Sequence, residues 1–246
     1  MLIENISVVI MAKNAQETIA KSLNSLADFK EVILYLNDST DTTQEIAEKY
    51  SNVKVVHGDF IGFGPTKNAA ATHASNEWIL SLDSDEILNE KLIEEILSQD
   101  LENTNNLFTL IRDNYFLGEK TVSKDYIVRL YNREKNLFDS ALVHEKVQVH
   151  EYNNKITLKT PFKHLNITDI NQTLSKMIKY TDLGAEGKKT CFFSLVIAKA
   201  FFAFFQTYIL RFYFINGWVG FTIAVSNANR RFYKYLKQYI NCKNSS

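Results

Sequence analysis

Short apolar runs alternate with helical apolar spacings through the first hundred residues of the chain. Residues 6–11 form a β-branched run, apolar but for Ser7 and too short for a buried helix, and predict a strand. Residues 15–28 place apolar side chains at 19, 23 and 26, one face of a helix. Further strands are predicted at 32–36, 53–56 and 78–82. Helices are predicted at 40–50, with Ser39 or Thr40 as its cap, and at 92–97. A glycine-rich loop fills 58–65, and Pro65 suits the first turn of a helix running through 69–71. Beyond residue 100 the pattern weakens: strands are expected at 107–112, 126–131 and 146–150, and helices at 170–183, 192–214 and 220–240. Strands alternating with helices are the mark of an α/β layer fold.

Composition narrows the class. With 246 residues, 46% apolar and 23% charged, the chain has material for one packed domain with an appendage, which excludes general disorder. Eight Gly and two Pro exclude collagen-like and low-complexity readings. The formal net charge of zero conceals an asymmetry. Residues 1–150 hold 14 Lys/Arg against 24 Asp/Glu, and residues 151–246 hold 14 against 4. From Gly187 onward there are nine basic residues and no acidic ones. The expected division is therefore a domain at 1–186 and a basic, aromatic-rich helical tail at 187–246 suited to an anionic surface. Two cysteines build no disulfide framework and lack metal-ligand spacing, which fits a reducing compartment. Residues 1–5 carry Glu4 and run straight into the first strand, so no signal peptide is read there and the bulk of the chain is expected in the cytosol.

Candidate chemistry gathers just past the strands. Asp83-Ser84-Asp85 follows the fourth strand, where open α/β sheets place ligands, and paired hard oxygen donors there suit Mg²⁺ or Mn²⁺ on a diphosphate. The bland alternative is a solvated turn, but three acids within four residues repel one another unless a cation or solvent relieves them. The loop at 58–65 fits neither the P-loop nor the dinucleotide spacing. Its glycines permit close backbone approach, and Lys67 at a helix start suits a phosphate or base. Asn37-Asp38-Ser39-Thr40-Asp41 follows the second strand, either as a helix cap or as a carboxylate for a nucleotide.

Four segments in order carry a resemblance: Ser7-Val8-Val9-Ile10-Met11-Ala12-Lys13-Asn14; Ser39-Thr40-Asp41; Gly62-Phe63-Gly64 with Lys67-Asn68; and Leu80-Ser81-Leu82-Asp83-Ser84-Asp85-Glu86. Together they resemble family-2 glycosyltransferases of the GT-A fold, above all the branch of β-1,4-glucosyltransferases that builds lipopolysaccharide inner core. Val143-His144-Glu145-Lys146 and Gly217-Trp218 with Gly220-Phe221 resemble that branch less specifically. The resemblance implies a Rossmann-like mixed sheet flanked by helices. It also implies an inverting transfer of a hexose, glucose from UDP-glucose, to a lipid-linked saccharide. Asp85 would ligate the metal, with Asp83 on the metal through water or on the donor ribose. Asn14, Asp38, Asp41 and Lys67 would lie at the nucleotide-sugar. Many relatives carry Asp-Asp-Gly-Ser or Asp-Asn-Gly-Ser after the second strand, whereas this chain has Leu36-Asn37-Asp38-Ser39, which leaves Asp38 and Asp41 both open as the nucleotide-reading acid.

Inverting transfer needs a base for the acceptor hydroxyl. Glu145 is the candidate, with a surface pair to Lys146 as its bland alternative and Asp139 in reserve. His144 and His164 are each a possible metal or phosphate ligand, though a lone histidine is more often structural. His57, His73 and His150 carry no argument.

The tail completes the expectation. Its apolar run barely reaches the roughly 20 residues of a membrane span, and Lys199 sits within it. The last helix mixes Arg230, Arg231, Lys234 and Lys237 with aromatics, an interfacial pattern. A peripheral protein on the cytoplasmic side of the inner membrane is expected, with no nucleic-acid partner. The rival readings are a metal-dependent phosphatase using the Asp-x-Asp pair and a non-catalytic membrane-bound scaffold.

Overall fold

A computed structural model describes residues 2–141 and 145–244. Four parallel strands, β1 (Ile3–Ala12), β2 (Phe29–Leu36), β3 (Val53–His57) and β4 (Trp78–Asp83), lie in the order β3-β2-β1-β4. Their apolar runs are continuous because both faces are covered. Val8, Ile10, Leu34, Leu80 and Leu82 pack with Leu23, Leu92 and Ile96 on one face. Val9, Ile33 and Ile79 pack with Ala70, Ala71 and Tyr131 on the other. The covering helices are α1 (Ile19–Asn24), α2 (Thr43–Ala47), α3 (Phe63–Ala71) and α4 (Glu90–Leu97). Asn89 caps α4 by accepting from Leu92 N at 3.0 Å.

The sheet continues as β7 (Glu119–Asn132), β6 (Asn106–Phe116), β8 (Asn154–Ile167) and the short β5 (Glu86–Ile87), giving the order β3-β2-β1-β4-β7-β6-β8-β5. β4 and β5 stand four strands apart in that order, about 19 Å in a flat sheet. Yet two residues, Ser84 and Asp85, join them in sequence, a reach of about 11 Å at most. The sheet must therefore curl, bringing β8 round towards the end of β4. That curl builds the candidate site.

The chain divides into two compact units. The first comprises residues through Asp113 together with Lys124–His164, and the second Asn114–Ser123 with the chain from Leu165 onward. In the second unit, α5 (Ile170–Ala185) packs on α7 (Gly217–Lys243) through Gln238 Nε2 to Gly184 O (2.9 Å) and Lys237 Nζ to Asp182 Oδ1 (2.6 Å). α6 (Phe193–Phe205) passes through a π-helical turn (Gln206–Leu210) and a 3₁₀ turn (Tyr213–Asn216) into α7. Cys191 and Cys242 form a disulfide joining the start of α6 to the end of α7. With the cysteines paired, they no longer argue for a reducing compartment.

Several local expectations give way. The helix at 40–50 shortens to α2, and Ser39 and Thr40 bond to Asn14 instead of capping it. The helix at 15–28 shortens to α1. Residues 146–150 contribute an isolated bridge, Val147 to Phe138, and the real strand is β8. The helix at 192–214 breaks where Phe212 turns left-handed (φ 60°).

Candidate active site

The parallel strands end together: Met11 pairs with Asp83, Ala12 with Leu36, and Leu36 with His57. The loops carrying the candidate residues therefore leave one sheet edge, as expected for ligand sites in open α/β sheets.

At the β1 and β2 ends, Asn14 adopts a left-handed backbone (φ 52°). Its N–H donates to Ser39 Oγ (3.1 Å), and its Oδ1 accepts from Thr40 N (2.8 Å). Asp41 accepts from Gln16 N (3.0 Å), Thr43 N (3.1 Å) and Thr43 Oγ1 (2.5 Å). Burial opposes ionisation of Asp41, but the Thr43 hydroxyl and these N–H groups outweigh it and lower its pKa. Asn14 and Asp41 thus stitch the two loops together. Asp38, also left-handed (φ 51°), stays exposed with Lys13 Nζ at 3.5 Å. Asp38 lines a cavity of about 340 Å³ with Leu36, Ser39, His57, Gly58 and Asp59. Of the two acids left open as nucleotide reader, Asp38 faces a cavity and Asp41 is committed to the chain.

At the β4 end lies a cluster of buried charge. Lys67, on α3 and 3% exposed, donates to Asp83 Oδ1 (2.9 Å) and reaches Glu145 Oε1 (2.7 Å). Arg129, from β7, donates to Asp83 Oδ2 (2.6 Å) and to the wholly buried Glu86. Arg112, from β6, adds Glu86 (3.0 Å) and Asp125 (2.9 Å). Buried charges persist only when paired, and every member here has a counter-charge. Burial opposes ionisation of Asp83, yet Arg129 and Lys67 hold its carboxyl well below the usual carboxylate range. Burial pushes Glu86 up, against the pull of Arg129.

Asp85 stands apart from this cluster, with its Oδ2 3.4 Å from His164 Nε2 on β8. A carboxylate oxygen beside an imidazole nitrogen is a donor set that a divalent cation accepts. Among the described residues, no group of three or more His, Cys, Asp or Glu side chains comes together to hold a metal. The pair fits Mg²⁺ or Mn²⁺ if phosphate and water supply the remaining ligands. Of the expected metal pair, then, Asp85 is set with His164, and Asp83 with Lys67 and Arg129.

Glu145 is held by Lys67 rather than by its neighbour Lys146. Gly64 makes this geometry possible: a Cβ there would stand 1.9 Å from Asp139 O and 3.4 Å from Glu145 Cβ. Asn68 pins the chain beside Asp139, donating to Phe138 O (3.0 Å) and accepting from Phe138 N (2.9 Å). Asp139, the reserve base, accepts from Ala141 N (3.2 Å). Val143 and His144 lie outside the described residues. His73 packs against Tyr35 and His150 against Tyr152. Sequence reasoning missed Glu86, Arg112 and Arg129 in the cluster, and His57 and Asp59 in the cavity. The signal for the arginines was an ionic side chain within each of two predicted strands, 107–112 and 126–131.

Comparison with known proteins identifies a family. Residues 7–170 match glycosyl transferase family 2. An uncharacterized glycosyltransferase of Rickettsia conorii is 29% identical over 259 aligned residues, covering 96% of this chain and 90% of the relative. The poly(ribitol-phosphate) beta-N-acetylglucosaminyltransferase TarS of Staphylococcus aureus is 34% identical over 100 residues, 36% of this chain and 18% of TarS. The crystal structure of S. aureus TarS 1-349 aligns over 98% of this chain and 92% of that chain, at 17% identity and a TM-score of 0.46.

Proposed function

The chain belongs to glycosyl transferase family 2, and from that premise we propose that it moves a hexose from a nucleotide diphospho-sugar onto a lipid-linked saccharide. Its mixed, curled sheet flanked by helices is the GT-A fold. UDP-glucose is the proposed donor and lipopolysaccharide inner core the proposed acceptor, both on the strength of the motif resemblance. The observation that best supports this reading is the meeting, at one sheet edge, of an acid-lined cavity, the Asp85–His164 pair and a carboxylate fixed by a buried lysine.

Asp38 and Asp59 supply acceptors for the hydroxyls and N–H groups of a nucleoside in the cavity. Asp85 and His164 would hold Mg²⁺ or Mn²⁺, which when bound neutralises charge on the departing diphosphate. Glu145 takes the proton of the acceptor hydroxyl as that oxygen bonds to the anomeric carbon. The bond from that carbon to the diphosphate oxygen breaks, its electron pair leaves with the diphosphate, and attack from the opposite face inverts the centre. Lys67 keeps Glu145 in place and, through Asp83, ties it to β4. The phosphatase reading needs a free Asp83, and no observation favours it or the scaffold.

The division into a catalytic domain at 1–186 and a tail at 187–246 that holds it on the cytoplasmic face of the inner membrane belongs to the same proposal. It is supported by the nine basic residues and absent acids from Gly187 onward. Removing 187–246 should release the catalytic domain into the soluble fraction, and continued membrane partitioning of the truncated chain would refute the tail's role.

Transfer from UDP-glucose and UDP-N-acetylglucosamine, measured with Mn²⁺ and with EDTA, tests the chemistry. The second donor is included because of the sugar named for TarS. Glu145→Gln should lower transfer by about 10²–10⁴-fold with folding unchanged by circular dichroism. Full activity in that variant would remove the base, and transfer that survives chelation would remove the metal role of Asp85.

A further inference from the structure

The second unit exposes its apolar residues in a way that decides how it meets a membrane. α6 and the turn after it form an 18-residue apolar stretch, Phe193–Leu210, that is only 17% buried. Its buried positions, Val196, Ala203 and Thr207, make one stripe. Around the rest of the helix, Phe193, Ile197, Phe201, Phe202 and Phe205 are exposed. A helix lying along a membrane surface needs a polar face for the water side. α6 has only Ser194 and Lys199 as exposed polar positions, too few for such a face, and from Ala200 to Phe205 it is apolar all round, as suits a helix end inside an apolar medium.

Charge is sorted along the same axis. At the α6–α7 turn, Leu210, Phe212, Ile215, Trp218 and Phe221 are exposed, with Arg211 among them. At the opposite end stand Lys188, Lys189, Arg230, Arg231, Lys234 and Lys243, with no acid after Glu186. Lys199 lies 13 residues before Phe212 and Arg230 13 residues after Gly217, each about 20 Å along a helix. A hydrocarbon core is about 30 Å thick, so this length passes the midplane without crossing. The basic end then lies at headgroup level, where anionic lipid attracts it. The disulfide Cys191–Cys242 ties the two legs together at that end.

We propose that the α6–α7 hairpin enters the hydrocarbon of an anionic bilayer tip first, anchored by a basic collar at the end away from the turn. The inference rests on the membrane reading above and replaces a surface-lying tail with a re-entrant one.

Trp218 offers the test. The chain has two tryptophans; Trp78 is buried with its Nε1 donating to Leu101 O, whereas Trp218 is 62% exposed near the tip. Lipid-borne quenchers therefore report on Trp218 in the unmodified full chain. Vesicles of phosphatidylethanolamine and phosphatidylglycerol would carry the quencher at the headgroup, high on the acyl chain, or near its end. Quenching should be strongest from the deepest label. Arg211→Ala should tighten vesicle binding, because the tip charge leaves hydrocarbon, whereas Arg230→Ala with Arg231→Ala should weaken it about tenfold or more. Strongest quenching from the headgroup label, or weaker binding by Arg211→Ala, would overturn the re-entrant hairpin and leave the membrane reading intact. Binding without quenching at any depth would overturn it as well. Failure of the full chain to bind vesicles at all would instead sink the membrane reading beneath it.

Discussion

The two units treat charge and apolar surface in opposite ways. In the first, Phe29, Phe108 and Phe162 are sealed inside, and so are Lys67, Glu86 and Arg129. In the second, Phe201, Phe202 and Trp218 face outward, and the basic side chains cluster at one end of a helical hairpin. A buried ion is tolerated only beside its counter-ion, and a broad apolar surface only where something other than water covers it. The first unit is therefore packed around a pre-set polar site, and the second exposes the apolar surface on which the proposed lipid contact rests. Substitutions that exchange these roles test the contrast.

The largest effect is expected at Arg129. Its guanidinium joins Asp83 to Glu86, and Arg129→Met leaves Glu86 buried with Arg112 as its counter-charge at 3.0 Å. A loss of about 3–5 kcal/mol is expected by urea denaturation, with transfer abolished. Adding Glu86→Gln should restore part of the stability, because the stranded charge is gone. An unchanged midpoint in Arg129→Met would mean that the cluster is not what holds β4 and β7 together.

A matched pair sharpens the contrast. Phe108 is wholly buried against Trp78, with ring centroids 5.7 Å apart. Phe108→Ala should lose about 3–5 kcal/mol. Phe201, 72% exposed, should change stability in water by about 0.5 kcal/mol or less when replaced by alanine, while vesicle affinity falls. Equal losses in water would show that Phe201 is part of an aqueous core.

How much of this was legible in the sequence differs by region. β1 to β4 could be read because a strand covered on both faces is an unbroken apolar run. The curl could not, since it follows from β5, two residues long, pairing with β8 some eighty positions later. β8 itself was hidden by Pro161 and by lysines alternating with Ile156, Leu158 and Phe162, a half-buried pattern shared with surface loops. Asp83, Asp85 and Lys67 were found because they follow strand ends or open a helix. Arg112 and Arg129 look like ordinary strand charges until folding buries them. Ser39 and Thr40 read as a local cap, but Asn14, 25 and 26 positions earlier, claims them. The tail's charge sorting was visible in composition. Its hairpin is closed by a disulfide between residues 51 apart, and no local pattern encodes that.

Gly64 is the point where loop chemistry and packing meet. Read from sequence, it permits close approach of a ligand; in the fold it permits close approach of Asp139 O. Because the obstructing atom is backbone, Gly64→Ala must push the segment at Asp139 outward, and Glu145 Cβ, 3.4 Å from the added methyl, is pressed as well. About 1–3 kcal/mol should be lost, and kcat should fall more than KM rises because Glu145 moves. Wild-type kinetics in Gly64→Ala would separate the segment's position from catalysis.

The smallest effect concerns the opposite end of the sheet and checks that the first unit's charges are held by local bonds wherever they occur. Glu31, on β2, accepts from Ser75 N (2.8 Å), Ser75 Oγ (2.7 Å) and the Ser7 hydroxyl. Burial opposes its ionisation, but Ser7 and Ser75 outweigh it and lower its pKa from the ordinary 4.5. A depressed folded-state pKa stabilises above the unfolded value, and that contribution fades as pH falls through the folded one. Glu31→Gln should therefore cost about 1 kcal/mol or less at pH 7, and the gap to wild type should close as pH drops below 4.5. Urea midpoints at pH 7 and at pH 3 measure it, and a gap that widens on acidification would show that the serines favour the protonated acid.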